Sequence, residues 1–303
     1  MLRSTTAHVA RGFAMGAADL VPGVSGGTVA LVTGIYHDLV GGIRSGVHSA
    51  ASLAKLDLRE AGSHLRAVPW RLLVPLAVGL ASAILLLSTT IEVLLEEEPV
   101  RMAGLFFGLV VGSIVVARRL VSRWDTTRVS ACAVAAAVTF AALGFRSADV
   151  EDPSLLFLFA AGAIAICAMI LPGISGSFLL LTLGVYEVVL GAVNDRDVLT
   201  IGVFFAGCIV GLAVFSNVLH WALDRWADTV MAALIGLMIG SLRVLWPWPD
   251  GTGPEQLGAP SGDVVGPVLL AAVGVGVVIG FTRVAATLER RIEERGATEP
   301  AAA

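Results

Sequence analysis

The sequence predicts an all-α, polytopic membrane protein, built as an inverted repeat of two units. Each unit is a re-entrant helical hairpin followed by three transmembrane helices. Three observations carry this expectation. Of the 303 residues, 56% are hydrophobic and only 15% charged, with a mean hydropathy of +0.87, whereas soluble domains carry about 25% charged residues. Six segments are apolar and reach the length of about 17–25 residues that a helix needs to cross a bilayer. A broken apolar segment near the N-terminus recurs 150 residues later.

The elements follow in chain order. Residues 11–40, RGFAMGAADLVPGVSGGTVALVTGIYHDLV, are apolar but interrupted by Pro22-Gly23 and Ser25-Gly26, a cluster that stops one helix and starts another. The arm from Gly12 to Val21 is about ten residues, a rise of about 15 Å, so it reaches mid-membrane and must turn back. Residues 44–71 carry Arg44, Lys55, Arg59, Arg66 and Arg71 among apolar residues and read as an interfacial helix. Spans are expected at 72–95, 101–117 and 129–145. Residues 155–190 form the second broken region, centred on Pro172-Gly173 and Ser175-Gly176. Spans follow at 198–220, 229–245 and 266–284, with a Pro- and Gly-rich loop at 246–263 and a charged tail after Arg283. The expected division is a first unit over 1–145 (hairpin 11–43, connector 44–71, three spans) and a second over 146–303 (hairpin 154–192, three spans, tail).

The repeat is read residue by residue. Pro22, Gly23, Ser25, Gly26, Leu31, Gly34, Tyr36 and Gly41 fall on Pro172, Gly173, Ser175, Gly176, Leu181, Gly184, Tyr186 and Gly191, without a gap. GLVVGS, from Gly108 to Ser113, echoes GLMIGS, from Gly236 to Ser241, at a shift of 128. Orientation follows from basic residues. With the 44–71 connector in the cytoplasm, only Arg101, Arg146, Arg196 and Arg243 of the 20 Lys and Arg fall outside. Both termini are then cytoplasmic, with Ser49 and Thr126 inside and Asp149 and Gly251 outside. Each unit then holds an odd number of crossings, which inverts the second relative to the first.

Chemistry concentrates at the two hairpin tips. Irregular backbone at membrane depth is tolerated only where protein buries it or where it lines a polar cavity. Helices restarting near Val24 and Ile174 present unpaired N–H groups and the positive end of a dipole. Gly26, Gly27 and Gly176 allow close approach to that backbone; Ser25, Thr28, Ser175 and Ser177 add hydroxyls. Two such ends facing each other would hold an anion, a phosphate for example, at the centre of an inverted pair. Asp19, a carboxylate inside an apolar arm, is a candidate for a coupling proton or sodium ion or for a cap on the turn; its repeat counterpart is Met169. Arg11, Arg101 and Arg243 sit at span ends, placed for snorkelling or for a phosphate headgroup. Tyr36 reads as an interface anchor.

Other chemistry is excluded by motif. No phosphate-binding GxxxxGKS/T loop, HExxH or GxSxG is present, and no cofactor or metal site is expected. Histidines 8, 37, 48, 64 and 220 are scattered, and Cys132, Cys167 and Cys208 sit alone in apolar runs. A net charge of −4 and pI near 5.7 argue against nucleic acid. The readings left open are a transporter and, using the same tips, a small-anion transporter or channel; a membrane enzyme lacks its catalytic set.

MGAADLVPGVSGGTVALVTGIYHDLV, from Met15 to Val40, resembles the signature of a bacterial and archaeal membrane family once catalogued as a domain of unknown function and associated with polyprenyl-phosphate (undecaprenyl-phosphate) transport. ILPGISGSFLLLTLGVYEVVLG, from Ile170 to Gly191, is similar to that family's second copy, and FFGLVVGS, from Phe106 to Ser113, to a further shared segment. The resemblance implies a flippase in the cytoplasmic membrane, not an enzyme. Its partners would be the polyprenyl-phosphate carrier and the surrounding membrane lipids. Such a flippase would return that carrier across the membrane, and the facing tips would hold its headgroup phosphate.

Overall fold

A computed structural model of the chain describes residues 2–20, 25–54, 56–144, 150, 152–249 and 257–298. Among these, every regular element is helical, apart from one isolated bridge between Pro249 and Leu257. The helices are α1 (Leu2–Asp19), α2 (Gly26–Val32), α3 (Tyr36–Ala54), α4 (Leu58–Ala67), α5 (Trp70–Glu97), α6 (Pro99–Ala117), α7 (Thr126–Ala142), α8 (Leu155–Ile170), α9 (Gly176–Thr182), α10 (Tyr186–Asp195), α11 (Val198–Ser241) and α12 (Val265–Thr298).

Helices α5, α6, α11 and α12 are each long and apolar enough to cross a membrane, and α7 and α8 are shorter apolar helices of 17 and 16 residues. Large apolar side chains point outward along them, among them Leu85, Leu86, Val134, Val138, Ile209 and Leu269. Such a surface is costly in water and stable in lipid. The core instead lies where α2, α3, α6 and α11 meet, around Leu31, Tyr36, Val40, Val110 and Met238, all 1% exposed or less.

Several expectations are revised. The first arm is not a ten-residue stub: α1 is an 18-residue helix from Leu2, about 27 Å long. Nor is 44–71 one interfacial helix. The chain passes through Arg44 inside α3, turns at Leu56 (φ 60) and continues as the short α4. The arm after each tip also bends, between α2 and α3 at Gly34 (φ +74) and between α9 and α10 at Gly184 (φ +71). The second of these bends turns the chain by 113°. Only glycine adopts such angles without strain. Both turns are closed by the same pair of bonds. Gly34 and Ile35 N–H donate to Leu31 and Ala30, and Gly184 and Val185 N–H donate to Leu181 and Leu180.

The expected spans 198–220 and 229–245 fall on either side of a kink in α11, where Trp226 leaves helical geometry (φ −139, ψ 49). The same backbone angles break the first half at Glu98 (φ −132, ψ 49), between α5 and α6, 128 residues earlier. After Glu98 comes Pro99, which has no N–H to continue the helical ladder. After Trp226 comes Ala227, which keeps its N–H, so the break there shows in the backbone angles of Trp226 alone.

Helix contacts recur at the same shifts. A methyl group built on Gly12 would lie 2.1 Å from the Leu76 carbonyl oxygen, and one on Gly162 would lie 2.3 Å from that of Phe204. The pair Gly79 with Val9 and the pair Gly207 with Phe159 repeat this, both at 2.0 Å. So α1 packs on α5 as α8 packs on the first part of α11. Next, α6 packs on α12 through Gly104, Gly108 and Gly112, while the second part of α11 packs on α7 through Gly236 and Gly240. Glycines one turn apart let the backbones touch, which drives association in lipid, where burial of apolar surface drives little. The exchange of partners between halves interlocks them.

Candidate functional site

The site begins where α1 stops. Asp19 is its last residue, and its Oδ1 accepts the Gly26 N–H at 2.6 Å. Ser25 is extended (φ −131, ψ 138) and caps α2, its Oγ accepting the Gly27 N–H at 3.1 Å. The Thr28 N–H donates to the Ser25 carbonyl at 2.8 Å. All three leading N–H groups of α2 thus have partners, and the carboxylate of Asp19 occupies the place an external anion would take. Of the expected tip, Pro22, Gly23 and Val24 lie outside the described residues.

The first tip is seated on the end of α8, whose last carbonyls have no helical partner. The Ser25 hydroxyl donates to the Met169 carbonyl at 3.3 Å and the Tyr36 hydroxyl to that of Ile170 at 3.1 Å. A methyl on Gly27 would sit 2.7 Å from the Ile170 oxygen. Tyr36, expected at the interface, is therefore a buried strut between the two broken regions, because its hydroxyl satisfies an otherwise orphaned carbonyl.

The second tip differs. Leu171 is extended and Gly173 (φ +86) lies against Met238 and Ser241. Ser175 precedes α9 but makes no cap bond. Its hydroxyl pairs with that of Ser177 at 2.9 Å. Gly176 packs on Met169, the counterpart of Asp19. Here Ser175 is half-buried and Ser177 exposed.

Beside the first tip lies a cavity of about 290 Å³, walled by Ala14, Ala18, Thr28, Phe106, Val110 and Val278 among other, mostly apolar, residues. It sits at the low end of the usual range for ligand sites. Thr28 is 2% exposed, and its hydroxyl has no partner among the described residues. Ser113 also lines the cavity, but its hydroxyl is bonded to the Leu109 carbonyl. Phe106 and Phe281 carried no signal as site residues, because apolar side chains in spans look alike whether they face lipid or a cavity.

None of the three arginines lines this cavity. Arg101 is held between Asp263 (2.9 Å) and Glu98 (3.1 Å). Arg243 lies 4.6 Å over the Phe140 ring. Arg11 is buried, with a nitrogen 3.3 Å from His8 Nδ1. In the loop before α12, the Gly266 N–H and then Arg101 hold the Asp263 carboxyl below its ordinary pKa. That pairing therefore stands at neutral pH and is lost on acidification.

Comparison with known proteins gives a consistent result. Residues 15–256 match the model of the undecaprenyl phosphate translocase-like family. A polyprenyl-phosphate transporter of Vibrio cholerae is 39% identical over 241 residues, covering 79% of this chain and 77% of its own. A polyprenyl-phosphate transporter of Staphylococcus aureus is 29% identical over 294 residues, covering 91% and 94%. No solved structure matches significantly. The matched region contains the Pro-Gly and Ser-Gly breaks of both segments and α6, and the chain belongs to the undecaprenyl phosphate translocase-like family.

Proposed function

We propose that this protein is a flippase that returns polyprenyl phosphate across the cytoplasmic membrane. The observation that carries this reading is the join of two unlike environments. An apolar cavity lies beside a helix start where a buried hydroxyl, Thr28, lacks a partner and a carboxylate, Asp19, already sits on the backbone N–H groups. A lipid phosphate has the same two parts. Its headgroup oxygens would be bound by Ser25, Gly26, Gly27 and Thr28 from one side and Ser175, Gly176 and Ser177 from the other. The isoprene next to the phosphate would enter the cavity, and the rest of the tail would stay in the bilayer.

The two N-terminal ends belong to an inverted pair of units in this reading, so that each tip opens toward one leaflet in turn. Asp19 and the phosphate are both anions and compete for the Gly26 N–H. Phosphate entry therefore requires the carboxylate to leave or to be neutralised by a coupling proton or sodium ion. The arginines Arg11, Arg101 and Arg243 contribute at the membrane surfaces, as first contacts for the headgroup.

The test is reconstitution. Purified protein in liposomes is expected to move polyprenyl phosphate between leaflets, read by accessibility of the phosphate to an impermeant enzyme or probe. Movement of chloride or free phosphate with no effect on the lipid would replace this reading with a small-anion transporter.

Orientation has its own measurement. Of the positions expected inside, Ser49 is unsuited to labelling: it is 2% exposed and its hydroxyl donates to the Ala61 carbonyl. Asp149 and Gly251 lie outside the described residues. Ser63 and Thr126 (cytoplasmic) and Ser261 (external) are exposed. Single cysteines there, with Cys132, Cys167 and Cys208 replaced, are expected to react with an impermeant reagent in intact cells only at Ser261. The reverse pattern would invert the protein in the membrane.

A further inference from the structure

Four of the five histidines, scattered in sequence, converge in two pairs. His37 and His220 rings lie 5.1 Å apart, and His48 stacks on His64 at 5.3 Å. The first pair encloses a carboxylate. His37 Nε2 is 3.0 Å from Asp224 Oδ1, and His220 Nε2 is 3.4 Å from Asp224 Oδ2. His220 and Asp224 are one turn apart on α11, where side chains at i and i+4 share a face. His37 arrives from the first turn of α3.

We propose that His37, His220 and Asp224 form a binding site for a transition-metal dication, zinc above all. One ligand atom from each lies within 4.8 Å of the others. A tetrahedral zinc with bonds of about 2.0–2.1 Å separates its ligands by roughly 3.3 Å. Each histidine nitrogen already stands at about that spacing from one of the two Asp224 oxygens, and a small rotation of the half-exposed His37 and of the carboxylate brings all three residues onto one ion. Two imidazoles and one carboxylate select zinc and its neighbours over magnesium or calcium, which take oxygen ligands. Three protein ligands leave a fourth position for water. His37 and Asp224 side chains are 51% and 55% exposed, so the ion has a path in.

The surroundings set the strength of the site. Arg44 is the nearby cation, and it is turned aside, its Nε donating to Asn217 Oδ1 at 2.7 Å. His48 Nε2 lies 2.9 Å from the same oxygen. His220 Nδ1 is buried without a partner among the described residues. Coordination through Nε2 leaves that nitrogen without the acceptor that usually supports a metal-bound histidine. The site therefore holds its metal less tightly than a closed structural zinc site. Occupied, it ties α3, from the first half of the chain, to α11, from the second.

The experiment uses the full chain in detergent micelles, stripped with a chelator and titrated with zinc alone, with cobalt as a spectroscopic substitute. One zinc per chain is expected, with the visible absorption of a tetrahedral cobalt site. His37→Ala and His220→Ala are each expected to weaken binding by more than the about 10–100-fold typical of losing an outer-shell partner. The double variant His48→Ala/His64→Ala should bind as wild type does. Zinc should raise the melting temperature of wild type and of that double variant, but not of His37→Ala, whose exposed site makes misfolding no issue. Absent binding, binding that survives both single variants, or binding lost only in the His48/His64 variant would each overturn the proposal.

Discussion

Gly26→Val is expected to abolish movement of polyprenyl phosphate while the protein still reaches the membrane. A Cβ at Gly26 would lie 2.7 Å from Asp19 Oδ2. The clash is with the end of a side chain, which can rotate away, so the fold survives. What is lost is access to the Gly26 N–H, now shielded by a β-branched residue. Gly176→Val would meet Met169 and, at 2.8 Å, the Ala165 carbonyl oxygen, so it too should stop transport, with some loss of stability. Ser25→Ala removes the cap of α2 and the bond to Met169. It should cost about 0.5–2 kcal/mol of stability and slow transport less than either glycine variant. Asp19→Asn keeps an acceptor for Gly26 but drops the charge that competes with phosphate. Tighter lipid binding, slower release and an altered pH or sodium dependence are expected. Lipid binding and flipping measured on matched amounts of folded protein decide the matter. Wild-type transport by both glycine variants would make the tips packing elements.

The second large effect is on stability. Gly108→Leu and Gly236→Leu are expected to destabilise the protein to a similar degree. Their Cβ atoms would lie 2.0 Å from the Ala271 oxygen and 2.2 Å from the Cys132 oxygen. Both obstacles are backbone, so a helix must move. Overpacking of this kind costs about 1–3 kcal/mol and sometimes more, and here it also opens the contact between halves. Thermal unfolding in detergent should show both variants well below wild type. Gly276→Leu, on the same helix as Ala271 but facing open space, should leave the melting temperature unchanged. Equal stability in all three would show that α6 with α12 and α7 with α11 do not hold the halves together.

Much of this architecture is legible along the chain because its signals are local. A run of apolar residues reports a span wherever it folds, and Pro-Gly with Ser-Gly reports a helix break. The bends at Gly34 and Gly184 fall on two glycines that the repeat pairs, yet the pairing alone announces no turn. The reading fails where a feature depends on what comes near. The length of α1 was hidden because its polar first residues do not look like a span. Arg101 and Arg243 looked alike in sequence, yet one is held by two acids and the other by an aromatic ring.

By itself, then, the sequence determined the apolar, all-helical class and the recurrence of the Pro-Gly and Ser-Gly break 150 residues on, since each rests on composition or on residue spacing. Only the tertiary structure decided that Asp19 occupies the first helix start, that Tyr36 and Ser25 cap the end of α8, and that Thr28 borders an apolar cavity. It alone joined His37 to His220 and Asp224. Those outcomes depend on which buried groups meet a partner, and, Asp19 and Gly26 apart, those partners are separated by more than 100 residues and come together only through the packing of the helices between them.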